Sequence, residues 1–170
     1  MKAIYLAFDQ LNLNYGLIKD AIPKDTQILL VESQRMLKSR KWHFQRLFFL
    51  ISAARHFAKD LEVRGFQVHY LKSNSTREGI LEFINKTGIT DVETLEPSSH
   101  RLTREISDIT KFYPTDFFLT SRQEFSDWAK VQKKLLMENF YRLQRRRLNI
   151  LMEGDEPRSE EHTSELQSRE

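Results

Sequence analysis

The chain has 170 residues, 39% hydrophobic and 30% charged, with 12 Phe, 5 Tyr and 2 Trp, enough apolar and aromatic mass for a sizeable core and too much for a disordered segment. It has no cysteine, which excludes disulfides and thiolate metal sites within this sequence and fits a cytoplasmic location. The formal charge of +3 is compatible with a polyanionic partner without demanding one, and the longest apolar run, "LFFLISAA", is too short to span a membrane.

In chain order, "AIYLAF" (Ala3 to Phe8) reads as a buried first strand closed by Asp9. "TQILLVE" (Thr26 to Glu32) reads as a second, after the turn signal Pro23-Lys24-Asp25. Leu47, Leu50, Ile51, Ala54, Phe57, Ala58 and Leu61 then recur at helical spacing, and Gly65 ends the run. "FQVHYL" (Phe66 to Leu71) is a third strand. Ser75 to Gly88 is a helix, with Ser75 and Glu78 at capping-box spacing. "DVETLE" (Asp91 to Glu96) gives a fourth strand, "HRLTREISDITKFY" (His100 to Tyr113) a helix, and "DFFLT" (Asp116 to Thr120) a fifth strand. Ser121 to Met152 reads as one or two helices. Strands alternating with helices five times, the central ones almost continuously apolar, predict an α/β fold: a doubly wound five-stranded parallel sheet, Rossmann-like, covered on both faces.

The usual catalytic and nucleotide signatures are absent. There is no GxGxxG, no GxxxxGK[ST] and no GxSxG, and the five histidines have no metal spacing. In doubly wound folds ligands sit beyond the carboxyl ends of the strands. Asp9, Gln10 and Glu32 at those ends are candidate ligand contacts, since acceptors in a crevice suit the N–H and hydroxyl groups of a ring with a ribityl chain. The alternative is that Asp9 caps a turn and Glu32 is solvated. Two basic stretches stand out. "RMLKSRKWHFQR" (Arg35 to Arg46) carries five basic residues and no acidic one. Lys130 to Arg147 carries seven basic residues against Glu138, with Phe140 and Tyr141 beside Arg142, Arg145, Arg146 and Arg147. Such a stretch suits phosphate contact or stacking; the alternative is a solvated helix face packed on another domain.

"DQL" (Asp9 to Leu11), "SAARHFAKDLEVRGFQVHYL" (Ser52 to Leu71) and "EFSDWAKVQKKLLMENFYRLQRRRLNILMEGDEP" (Glu124 to Pro157) together resemble the amino-terminal domain of photolyase-related proteins, the iron–sulfur bacterial cryptochromes and (6-4) photolyases. The resemblance covers about residues 1–157. It implies an antenna-chromophore domain over 1–128, with ribityl-lumazine as one candidate chromophore and Asp9, Gln10, Glu32 and Leu50 as its candidate contacts. It implies a basic segment, 129–157, leading to a carboxy-terminal domain that holds FAD and a 4Fe–4S cluster, with Arg142, Arg145, Arg146 and Arg147 touching DNA or that domain. The implied partners are damaged DNA, in the full-length protein, and the chain's own carboxy-terminal domain, with no membrane. The implied activity is light-driven repair of pyrimidine lesions by the parent enzyme, this portion alone not being catalytic. A cryptochrome-like blue-light receptor and a stand-alone α/β ligand-binding domain are the alternatives. The sequence departs from the family pattern at Ala54, at Met36, where some members carry glutamate, and at "EPSSH", ending at His100.

"RSEEHTSELQS" (Arg158 to Ser168) matches the in-frame translation of a common short-read sequencing adapter at all eleven residues, so 158–170 is expected to be an artefact that truncates the gene. Those thirteen positions hold two basic and four acidic residues, leaving 25 basic against 20 acidic in the body.

Overall fold

The apolar runs of the amino-terminal half become the strands of one parallel sheet. A computed structural model describes residues 1–154 and 156–158, so the expected adapter-derived segment, Arg158 apart, lies outside the described residues. The strands are β1 (Lys2–Tyr5), β2 (Thr26–Ser33), β3 (Gln67–Ser73), β4 (Val92–Leu95) and β5 (Lys111–Tyr113), in the order β3-β2-β1-β4-β5 with every neighbouring pair parallel. Between them run a 3-10 turn (Gly16–Ile18) and the helices α1 (Gln34–Leu37), α2 (Phe44–Val63), α3 (Thr76–Thr87) and α4 (His100–Ile106). This is the expected doubly wound α/β arrangement. Strand order reverses between β1 and β4, which is where such folds open a crevice.

All eight residues of β2 are buried, because helices cover both faces of the sheet. Its odd-numbered side chains, Leu29 and Val31, join Ala3 and Tyr5 of β1, Ile80 and Phe83 of α3, and Ile106 of α4. Its even-numbered side chains, Ile28 and Leu30, join Ile4, Leu6, and Ala54, Ala58 and Leu61 of α2. Strand geometry sends successive side chains to opposite faces, so one strand serves two cores.

The helix stops fall where the glycines predict. Gly65 and Gly88 follow α2 and α3 with φ of 89° and 73°. The Ser75 hydroxyl accepts the Glu78 N–H at 3.1 Å, capping α3. Among the described residues no helix is long and apolar enough to cross a membrane.

One strand differs from expectation. Asp116–Thr120, expected as the fifth strand, is irregular, and β5 is Lys111–Tyr113, which the helical reading of His100 to Tyr113 had absorbed. Polar side chains end α4 early. The Thr110 hydroxyl donates to the Ile106 carbonyl at 2.8 Å, and the Asp108 carboxylate takes the Arg77 guanidinium at 2.5 and 2.8 Å. The three residues that follow pair with β4. The Tyr113 hydroxyl donates to Glu93 at 2.7 Å, while Phe112 packs on the core. Asp116 instead accepts the Gly16 N–H at 3.0 Å, a loop contact.

From Thr120 the chain forms a second compact unit. It contains α5 (Arg122–Lys130), α6 (Met137–Leu148) and a small antiparallel pair, β6 (Met152–Glu153) and β7 (Glu156–Pro157). Ser121 and Glu124 make the full reciprocal capping box at the start of α5. Phe125, Trp128 and Phe140 pack ring on ring between the two helices, at 4.8 to 5.7 Å between centroids.

The approach of α3 to β2 makes a direct test. A Cβ on Gly79 would lie 2.5 Å from Val31 Cγ1. Gly79→Ala is therefore expected to destabilise the first unit by ~1–3 kcal/mol through overpacking, outweighing the helix propensity gained. Urea denaturation should show a lower midpoint; an unchanged or raised midpoint contradicts the close contact.

Candidate functional site

A cavity of about 320 Å³ opens at the carboxyl ends of the strands of the first unit. Its floor is built from strand ends. Tyr5, Ala7 and Asp9 come from β1 and the segment after it, and Val31 and Ser33 from β2. Thr76 begins α3, Leu102 and Glu105 come from α4, and Leu50 from α2. Its wall comes from Met36 of α1, from Ser39, Arg40 and Trp42 of the segment that joins α1 to α2, and from Arg46 in the first turn of α2.

That wall is held by backbone acceptors and stacked charge. Ser33 caps α1 by accepting the Met36 N–H at 3.3 Å. The Trp42 indole N–H donates to the Met36 carbonyl at 3.2 Å. The Arg40 and Arg46 guanidiniums lie 4.2 and 5.2 Å from the indole centroid, a cation–π arrangement. Tyr5 is 3% exposed, and burial pushes its phenol well above the ordinary tyrosine range despite a hydrogen bond to Thr76. It stays neutral at any working pH and presents an aromatic face, not a charge.

The mouth is electropositive. Arg35, Arg40, Arg46 and Arg101 face two carboxylates, Asp9 and Glu105. Glu105 is already committed: its carboxylate accepts the Arg77 backbone N–H at 3.2 Å and lies 3.6 Å from Arg35. The arrangement suits an aromatic ring over an apolar floor with negative charge towards the rim.

Of the residues expected at a ligand site, Asp9 and Leu50 line this cavity. Glu32 and Gln10 do not. Glu32 sits on the opposite face of β2, where its carboxylate accepts the Arg55 guanidinium at 2.8 Å and the Tyr70 hydroxyl at 2.9 Å. It is 8% exposed, so it is a buried structural anion and not a solvated one. Gln10 is buried too, and its Oε1 has no hydrogen-bond partner among the described residues. Trp42 and the arginines around it lie in the basic stretch Arg35 to Arg46, but that stretch carried no sign of which cavity it would wall. Tyr5, Thr76, Arg101 and Glu105 gave no sequence signal of their own.

In the second unit the four candidate arginines have different surroundings. Arg145 is buried at 5% exposure and donates to the Ile150 and Leu151 carbonyls, closing the end of α6. Arg142 pairs with Glu138 at 2.7 Å and Arg147 with Glu124 at 2.5 Å. Arg146 is exposed.

The Glu32 cluster gives a pH signature. Burial alone raises a carboxyl pKa, but hydrogen bonds from Arg55 and Tyr70 outweigh it and hold Glu32 below its ordinary value of 4.5. Tyr70 is pushed up to about 12 by burial and by the same bond. The unfolded chain thus binds a proton to Glu32 more readily than the folded one. The contribution is full above pH 4.5 and is lost as pH falls through the lower folded value. Glu32→Gln is expected to cost roughly 1–3 kcal/mol at neutral pH, discounted from a fully buried pair because Arg55 is half exposed. In thermal melts the gap between wild type and E32Q should narrow in acid; a gap constant with pH contradicts the assignment.

The comparisons with known proteins agree with this architecture. The sequence profile of the deoxyribodipyrimidine photo-lyase-related protein family matches residues 4–163. A (6-4) photolyase of Agrobacterium fabrum is 29% identical over 162 residues, 88% of this chain and 32% of the relative. The chain thus spans about a third of that photolyase's length. An uncharacterized protein of Acanthamoeba polyphaga mimivirus, R852, is 22% identical over 166 residues, 90% of this chain and 80% of the relative. With a family profile matched along almost its whole length, the chain belongs to the deoxyribodipyrimidine photo-lyase-related proteins.

Proposed function

We propose that this chain is the amino-terminal, antenna-chromophore-binding portion of a light-driven, flavin-dependent photolyase that repairs pyrimidine lesions in DNA. One observation carries the reading: an aromatic cavity with a polar mouth lies at the carboxyl ends of a doubly wound sheet, in a chain 29% identical to a (6-4) photolyase. At about 320 Å³ the cavity is at the small end of the ~300–1,000 Å³ typical of ligand sites. It suits one fused ring system with a short chain, such as a ribityl-lumazine, and is too small for a dinucleotide such as FAD. FAD, a 4Fe–4S cluster and the lesion site belong, on this proposal, to the remaining two thirds of a parent resembling the Agrobacterium relative.

The residues present fit such a chromophore. Tyr5, Phe8 and Trp42 offer aromatic surfaces, and Val31, Leu50 and Leu102 exclude water from the ring. Ser33, Ser39, Thr76 and Ser99 offer hydroxyls for a polyol chain. Asp9, exposed at the mouth, can accept a ring N–H or a hydroxyl. Met36 brings a thioether where some relatives carry a carboxylate, so this cavity grips a ring by contact at that point and not by an ionic hydrogen bond. A bound chromophore supplies absorption of near-ultraviolet and blue light and transfer of that excitation to the flavin.

A second reading has its own support. The mimivirus relative is matched over 80% of its length, which favours a stand-alone domain of this type with a ligand of its own. The two readings share the cavity, and the second involves no light chemistry.

The test is a titration of the purified chain with ribityl-lumazine, flavin, deazaflavin and folate, followed by fluorescence. Saturable binding of at least one is expected, and Trp42→Ala should weaken it by the ~1–3 kcal/mol of a stacked ring. Binding of none of the four contradicts the proposal.

A further inference from the structure

The cavity does not end at its mouth. It adjoins a second pocket, of about 560 Å³, and the two share Arg35, Arg101 and Glu105. The second pocket adds Arg77, His100 and Arg104 and has no apolar residue in its lining. The arginines here are not equivalent. Arg77 is committed, with its guanidinium bidentate on Asp108 and bonded to the Glu105 carbonyl. Arg35 is partly committed through Glu105. Arg101 and Arg104, three residues apart on α4 and both exposed, have no carboxylate partner among the described residues, and nor do Arg40 and Arg46 across the mouth.

Solvated arginines alone say little, but their placement does. Of these four guanidiniums, Arg40 and Arg46 line the aromatic cavity, Arg104 lines the polar pocket, and Arg101 lines both. The single carboxylate shared by both pockets is already hydrogen-bonded. A neutral polyol gains little from such a field. A dianionic group gains charge-assisted, bidentate hydrogen bonds from it.

We infer that the ligand of this site is a ring compound carrying a phosphomonoester, its ring in the Tyr5–Trp42–Leu50 cavity and its phosphate between Arg35, Arg101 and Arg104. The inference rests on the cavity being the chromophore site, and it names the ligand's charge class. The ring is gripped by stacking and exclusion of water. The phosphate is read by Arg101 and Arg104 of α4 and by Arg35 of α1, so both ends of the ligand must be present for full affinity.

The experiment uses two ligands that differ only in the phosphate. Riboflavin and FMN are titrated against the full chain, by quenching of flavin fluorescence, at low and at raised salt. FMN is expected to bind more tightly by about tenfold or more, because its phosphate gains charge-assisted hydrogen bonds that riboflavin cannot make. The ratio should shrink with salt and fall towards one in Arg101→Ala and in Arg104→Ala. Lys59→Ala, which removes an exposed charge elsewhere on α2, should keep it, with circular dichroism confirming that each variant folds. Equal affinities overturn the inference while leaving the cavity as a ring site. Equal affinities together with salt-sensitive capture of a single-stranded oligonucleotide also overturn it and assign the arginines to a nucleic-acid backbone. Binding of neither flavin overturns it as well; if ribityl-lumazine, deazaflavin and folate also fail, the chromophore reading falls with it.

Discussion

The alternation of side chains along β2 is the constraint from which the site follows. A strand buried on both faces must satisfy every polar group at its end within the protein, because no water reaches it. At the carboxyl end of β2 two polar residues arrive in succession and are sent opposite ways. Glu32 goes to the α2 face, where Arg55 and Tyr70 neutralise it. Ser33 goes to the other face, where it caps α1 and so aims the following segment, with Trp42, across the cavity. Shifting the strand by one residue would place a carboxylate in the cavity and leave the Arg55–Tyr70 pair empty.

The same geometry sets what the cavity can do to a ligand. Its walls combine neutral aromatics and arginines, which neither give nor take protons at working pH, with two carboxylates, Asp9 at the mouth and Glu105, the second already hydrogen-bonded. Among the described residues there is no set of three His, Asp or Glu side chains that could hold a metal. Such a site can hold, orient and shield a ligand. The antenna role proposed above asks for that: a chromophore held in place and shielded from quenching water.

Much of the fold was legible because burial dictates it. Apolar runs marked β1 and β2, the short stretch "DVETLE" marked β4, and capping residues at Ser75, Gly88 and Ser121 marked helix ends. β5 was hidden because three residues are too few to show a period of two, and the preceding helical pattern runs into them. The site was legible only to the level of a sheet edge. Strand-end polarity picked out Asp9 and Glu32 alike, and nothing in the sequence said that one faces the cavity and the other a buried arginine. Trp42 and Arg40 lie on a connection whose path depends on the Ser33 cap, a tertiary feature. Arg101 reaches the mouth only because α4 packs beside α3, far along the chain. The Arg142 to Arg147 run looked uniform as a sequence, yet Arg145 is consumed by the end of its own helix.

The most direct measurement is a map of amide chemical-shift changes on an isotope-labelled chain titrated with a ribityl-lumazine or flavin. Saturable changes are expected at Ser33, Met36, Trp42, Leu50, Thr76 and Ser99, with the Glu32–Arg55–Tyr70 cluster far less affected. Changes centred on the Glu32 face of the sheet, or scattered without saturation, would contradict the claim that the carboxyl-edge cavity is the binding site.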